Sequence, residues 1–161
     1  MAKNKSTGSR KDLGKLVIAN NKRARFDYEI IENFEAGLVL TGSEIKSIRL
    51  GGISINEAYV RPKNDELWLL GCHIKEYAFS QDSGYDPIKP RKLLMHKREI
   101  NKLRGRVEQK GLTIVPLQVY LKRGRAKLEI GLARGKNAPD KRHSLMDRER
   151  KRDAERAMKR G

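Results

Sequence analysis

Along the chain, short apolar stretches with clear periodicity alternate with equally clear turn signals. From Phe26 to Leu40 aromatic and β-branched residues interleave with regularly placed acids, which predicts one long strand, with Ala36-Gly37 as a bend or bulge inside it. Thr41-Gly42-Ser43-Glu44 has the form of a capping box, whose hydroxyl and carboxylate satisfy free amides at a helix start. Ile45 and Ile48 then share the face of a short helix that Gly51-Gly52 ends. Ile53 to Arg61 and Glu66 to Ile74 predict a hairpin around Pro62-Lys63-Asn64-Asp65. Residues 80–90, with Gly84, Pro87 and Pro90, form a loop. Lys97 to Lys110 places Ile100, Leu103 and Val107 on one helical face before Gly111, and Gly105 weakens its middle by about 1 kcal/mol relative to alanine. Thr113 to Leu121 and Ala126 to Ala133 alternate Leu117, Val119, Leu121 and Leu128, Ile130, Leu132 on one side, joined by the turn residues 122–125.

Strands without regular βαβ alternation exclude a doubly wound parallel sheet. One amphipathic helix between the third and fourth strands predicts a mainly β fold with flanking helices, a small antiparallel OB-type barrel. It spans residues 15–134, between a flexible basic arm (1–14) and a basic tail (135–161). In the tail, Ser144 with Asp147 offers a helix start, and Asp147 to Lys151 and Glu155 to Lys159 are favourable pairs. Its apolar stripe of Leu145, Met146, Ala154, Ala157 and Met158 is thin, so the tail is expected to be helical at least when bound.

Charge sharpens this picture through its distribution. The formal net charge is +17, and residues 1–25 hold eight Lys/Arg against one acid, residues 134–161 eleven against five, and the body between eighteen against fourteen. A nearly balanced body with two basic extensions suits a module that grips a polyanion. Neither extension carries the aromatic and leucine face of an interfacial helix, so nucleic acid is favoured over membrane. Without a run near the roughly eighteen apolar residues of a membrane span, or a secretory signal, the expected place is the cytoplasm. The lone Cys72 reads as a small buried thiol.

Catalytic chemistry finds little support. His73, His96 and His143 fall in a strand, a helix start and the tail, with no nucleophile or metal partner at a useful spacing. Residues 131–137 have three residues between their glycines where a phosphate loop needs four, and Asn137 replaces the magnesium-holding hydroxyl. The acids Glu29, Glu32, Glu35 and Glu44 cannot all share a face as a nuclease cluster. No enzyme, metal or cofactor is expected. Binding is better served: Asn21 offers an amide for a base edge, Lys22, Arg23 and Arg25 offer cations for phosphates, and Phe26 and Tyr28, two apart on a strand face, offer rings for stacking or for the core. Arg91, Lys92 and the cations from Lys97 to Arg106 read as one basic helical segment, some of them only solvating it.

Six segments taken together go further: Asn21-Lys22-Arg23-Ala24 with Asp27-Tyr28, Phe34 to Leu38, Gly42 to Ser47, Arg91-Lys92-Leu93-Leu94, Gly131 to Lys136, and Asp140-Lys141-Arg142. In this order they closely resemble the SsrA-binding protein family, also called small protein B. The resemblance implies an OB-type barrel that binds the tRNA-like domain of transfer-messenger RNA, stands in for its missing anticodon arm, and delivers it to stalled ribosomes for trans-translation. It implies RNA contacts at Asn21, Glu35 and Leu94, the last by supporting the surface, and the RNA-binding set is completed by Lys22, Arg23, Arg25, Phe26, Tyr28, Lys46, Arg91 and Lys92. Where the family commonly has histidine this chain has Phe26, which keeps stacking and loses a hydrogen bond. The tail, with Gly135, Lys136, Asp140, Lys141, Arg142, Arg148, Arg150, Lys151 and Arg152, is implied to probe the decoding region and the empty mRNA channel. Elongation factor Tu is an implied partner only through the RNA, and the protein is expected to be a monomer. Another OB-fold RNA-binding ribosomal or initiation protein is the alternative reading.

Overall fold

The computed structural model describes residues 14–81, 83–136 and 152. Nine strands and three helices are assigned among them. In chain order they are β1 (Lys15–Asn20), α1 (Lys22–Asp27), β2 (Tyr28–Leu38), α2 (Gly42–Arg49), β3 (Ile53–Ser54), β4 (Tyr59–Lys63), β5 (Glu66–Leu70), β6 (His73–Ile74), β7 (Arg91–Leu94), α3 (Lys97–Lys110), β8 (Thr113–Lys122) and β9 (Arg125–Gly135).

The main sheet runs β1-β8-β4-β5-β7-β2-β9, and an additional β8–β9 pairing closes it into a barrel of six antiparallel strands. Strand β8 meets three neighbours because its length is shared: β4 pairs at Ile114, β1 pairs from Gln118 to Lys122, and β9 runs along the whole strand. Closure leaves the ring without an open edge, so backbone groups in its wall are satisfied internally. Val60, Leu67, Leu69, Leu93, Val119, Leu128, Ile130 and Leu132 fill the interior together with Ile48 of α2 and Leu103 of α3. A smaller cluster of Ala24, Val115, Leu117 and Ala133 seats α1 against the wall.

Several expectations are corrected. Five strands were too few, because β1 and β7 were not foreseen and the predicted hairpin over residues 53–74 is divided into the β4–β5 hairpin and a separate β3–β6 pair. The β4–β5 turn places Asn64 and Asp65 at φ 50° and 63°, a primed turn whose twist matches its strands. The bulge in β2 lies between Ile30 and Glu32, where Ile31 turns outward, and Ala36-Gly37 stays in register. Glycine at 37 serves a close approach instead: a Cβ there would stand 3.3 Å from Leu94 Cβ, across the strand pair. The capping box holds as expected, with Thr41 Oγ1 accepting from the Glu44 amide and Glu44 Oε1 accepting from the Thr41 amide.

Candidate nucleic-acid interface

The strand expected from Phe26 starts at Tyr28, because a six-residue helix that the sequence did not announce covers Lys22–Asp27, and a distant part of the chain supplies the reason. Between Pro116 and Gln118 the β8 register shifts, which displaces Leu117 and leaves carbonyls without ladder partners. Asn21 fills that need. Its amide N–H donates to the Leu117 carbonyl at 2.8 Å and its Nδ2 to the Pro116 carbonyl at 2.9 Å, while its Oδ1 accepts from the Ala24 amide at 3.1 Å as the cap of α1. With the residue 4% exposed and its amide bonded inside the chain, Asn21 positions α1.

Helix α1 exposes Lys22, Arg23 and Arg25, with Arg23 Nε 3.5 Å from Asp27. Phe26 and Tyr28 are both half-buried, but Phe26 lies in α1 and Tyr28 opens β2, so they do not share a strand face; Tyr28 packs on the small cluster. Of the two described positions expected to open the tail, Gly135 meets the start of β2 and Lys136 meets the helix. Gly135 pairs with Tyr28, the Lys136 amide donates to the Asp27 carbonyl at 3.0 Å, and the Lys136 ammonium donates to the Arg25 carbonyl at 3.2 Å.

Glu35 lies on the outer face of β2, exposed, toward the opposite end of that strand. The Tyr120 hydroxyl donates to its Oε2, and Lys122 Nζ stands 3.8 Å from the same oxygen. Burial, the hydrogen bond to Glu35 and the charges of Glu35 and Glu129 all push the tyrosine pKa up, so the hydroxyl keeps its proton. Lys15 Nζ sits 4.4 Å from the Tyr120 ring centre. Among the described residues the contacts of Glu35 fall on Oε2 alone, which leaves its other oxygen as a spare acceptor. On one side of the carboxylate is a depression of about 500 Å³ lined by Lys122, Arg123, Arg125 and Lys127. On the other is one of about 340 Å³ lined by Gly37, Leu94, Met95, His96, Glu99 and Lys127. Leu94 is 54% exposed and rests on Gly37, so the structure brings Glu35 and Leu94 together.

The cations of this surface were missed from sequence because Lys122-Arg123-Gly124-Arg125 reads only as a turn. That it is a turn with Arg123 and Gly124 at φ 53° and 78° is itself what carries its side chains outward beside Glu35.

Other predicted residues do different work. Arg91 belongs to β7, not to a basic helix, and is 2% exposed. Its Nε and Nη2 donate to Glu44 Oε2 at 3.0 and 2.9 Å, and its Nη1 donates to the carbonyls of Cys72 and Pro87 at 2.7 and 2.9 Å. It therefore ties α2 to the backbone at Cys72 and Pro87, with its guanidinium donors engaged inside the chain. Burial alone would raise the Glu44 pKa, but the Thr41 amide and the Arg91 guanidinium outweigh it and hold the carboxyl below its ordinary range. Lys92 pairs with Glu66 at 3.0 Å. Lys46 is exposed on α2, 5.7 Å from the Tyr77 ring centre and apart from the Glu35 surface. Cys72 is fully buried, its thiol pushed up to about 11 by that burial, which makes it inert at neutral pH. His73 lies in β6 and His96 caps α3 from its backbone alone. Arg152 is exposed, while His143 and the tail positions Asp140, Lys141, Arg142, Arg148, Arg150 and Lys151 lie outside the described residues. No group of three or more His, Cys, Asp or Glu among the described residues is arranged to hold a metal, and no helix among them is long and apolar enough to cross a membrane.

Comparison with known proteins places these features in context. The family model described as SmpB protein matches residues 18–160. An SsrA-binding protein of Anaeromyxobacter dehalogenans is 50% identical over 159 residues, covering 99% of this chain and 98% of its own length. One from Thermosynechococcus vestitus is 53% identical over 144 residues, covering 89% and 95%. A solved chain described under "tmRNA-SmpB: a journey to the center of the bacterial ribosome" is 45% identical, with a TM-score of 0.63 over 79% of this chain and 93% of that one.

Proposed function

Since the chain belongs to the SmpB protein family, we propose that it binds transfer-messenger RNA through the barrel face around Glu35 and brings that RNA to stalled ribosomes for trans-translation. The relatives' name, SsrA-binding protein, and the solved tmRNA–SmpB chain of the ribosome support the RNA and the ribosome as partners. The observation that carries the site is the half-engaged carboxylate of Glu35 set among Lys122, Arg123, Arg125 and Lys127. The cations meet phosphates, which positions the RNA without reading it. A carboxylate repels phosphate but accepts hydrogen bonds from base amino groups, so it supplies selectivity that lysine cannot. Leu94 offers an apolar floor beside it.

In this reading the barrel replaces the missing anticodon arm, the tail enters the decoding region and the empty mRNA channel, and elongation factor Tu joins only through the RNA. The protein acts by binding, as a cytoplasmic monomer, and breaks no bond itself. Glu35→Gln keeps size and removes charge. Its affinity for the tRNA-like domain falls by roughly 1 to 3 kcal/mol in a titration, with the melting temperature unchanged. Equal binding by both proteins removes Glu35 from the site. Deleting residues 137–161 spares Lys136 and its bonds to α1, so the truncated protein folds and still binds the RNA, while tagging of a stalled nascent chain fails. Full tagging without the tail would refute its role.

A further inference from the structure

The outer wall of the barrel carries a second surface that the Glu35 face does not explain. Trp68 is the single tryptophan of the chain, and it is half-buried on β5 with its side chain on the outer wall. In the strand register Arg61 of β4 lies directly across from it on one side and Lys92 of β7 on the other. Together with Lys63, Leu70 and Pro90 it lines an open depression of about 330 Å³. Glu66 takes up Lys92 at 3.0 Å, so Arg61 and Lys63 are the cations placed to meet an anion there. Arg61 also stands 5.6 Å from the ring centre of the exposed Tyr59, which extends the row of rings and cations along β4.

We propose that this Trp68 surface is a docking site for an unpaired nucleotide of RNA, whose base stacks in the depression while Arg61 and Lys63 hold the adjoining phosphates. A flat aromatic side chain beside cations on rigid strands is what sequence-tolerant binding of single-stranded nucleic acid requires: every base has a face to stack, and the backbone supplies the charge. Charge complementarity selects a polyanion, and the depression's apolar lining of Trp68, Leu70 and Pro90 selects one that also brings a planar apolar group. An acidic peptide meets the first demand and not the second. The inference goes beyond the Glu35 face and does not depend on it.

Because the chain has one tryptophan, its emission reports on this site alone. The full-length protein is titrated with a short single-stranded oligoadenylate, with binding followed in parallel by the anisotropy of a label on the RNA. The expected result is saturable quenching of Trp68 with the same midpoint as the anisotropy. Trp68→Ala weakens oligonucleotide binding about tenfold and Trp68→Phe restores most of it, in line with loss and return of one stacked base. Arg61→Glu with Lys63→Glu abolishes the quenching without moving the melting temperature, which covers the case in which the alanine variant folds poorly. Glu35→Gln leaves the quenching in place, so failure here and failure of the Glu35 reading are separable. RNA that saturates the anisotropy while Trp68 emission stays constant overturns the proposal, as does equal quenching by a polyglutamate peptide.

Discussion

Glu44 and Glu35 each meet one tyrosine hydroxyl and at least one cation, yet the two networks differ in nearly every other respect. Glu44 is 2% exposed, and both its oxygens are occupied: Oε1 by the Thr41 amide, with Lys89 at 3.5 Å, and Oε2 by two nitrogens of Arg91 with the Tyr85 hydroxyl at 3.3 Å. Glu35 stands in solvent, with Tyr120 and a more distant Lys122 on a single oxygen. Where a guanidinium fork fills every acceptor position in a dry site, the carboxylate has nothing left to offer a ligand and serves as a rivet. Where a lysine ammonium stays at 3.8 Å in water, the pair is weak and the carboxylate remains available. Partner types alone do not separate structure from recognition; acceptor capacity left over does.

The largest test of this contrast is Arg91→Ala, which strands a buried Glu44 and costs about 3 to 5 kcal/mol in denaturant unfolding. An unchanged midpoint would mean that the pair is no rivet. Asn21→Ala comes next. It removes a helix cap and leaves the Pro116 carbonyl without its donor, a loss of about 1 to 2 kcal/mol in the same assay. A loss of RNA affinity with stability untouched would return Asn21 to the role expected from sequence.

Acid sharpens the comparison further. The Glu44 pKa in the folded protein lies below its unfolded value, so its contribution is complete above the ordinary carboxylate range and is lost as pH falls through it. The stability gap between wild type and Glu44→Gln therefore narrows on acidification, and a gap independent of pH would contradict the assignment. The smallest effect is reserved for the rim. Arg125→Gln lowers the salt slope of RNA binding by roughly 0.7 to 0.9, one phosphate's worth, and leaves stability alone.

What was legible in the sequence was local. The capping box at Thr41 and Glu44, the stripe of Ile100 and Leu103 in α3, and the alternation of Val119, Leu121, Leu128 and Ile130 all follow from spacing within a few residues, and each is found in place. What was not legible was long-range. Helix α1 has no apolar stripe of its own and exists because Asn21 caps it while satisfying the carbonyls of a bulge 95 positions away. Arg91 looked like a surface cation because its carboxylate partner lies 47 positions earlier. The Glu35 surface was half visible: Glu35 and Leu94 entered through family resemblance, whereas Lys122, Arg123, Arg125 and Lys127 arrive only when the β8–β9 hairpin folds beside them.

That hairpin also sets a distance. Lys15, where residues 1–14 join the barrel, pairs with Lys122 at one end of the ribbon, and Gly135, where the tail departs, pairs with Tyr28 at the other. Strand β9 covers eleven residues between these points, about 30 Å or somewhat more at ~3.3 Å per residue. The two points at which these segments join the barrel therefore lie at separate ends of one stiff spacer. One root lies next to the Glu35 surface and the other lies at α1. Such a molecule can be held at two addresses at once, with the second attachment made intramolecular by the first and its effective concentration set by the ruler between them.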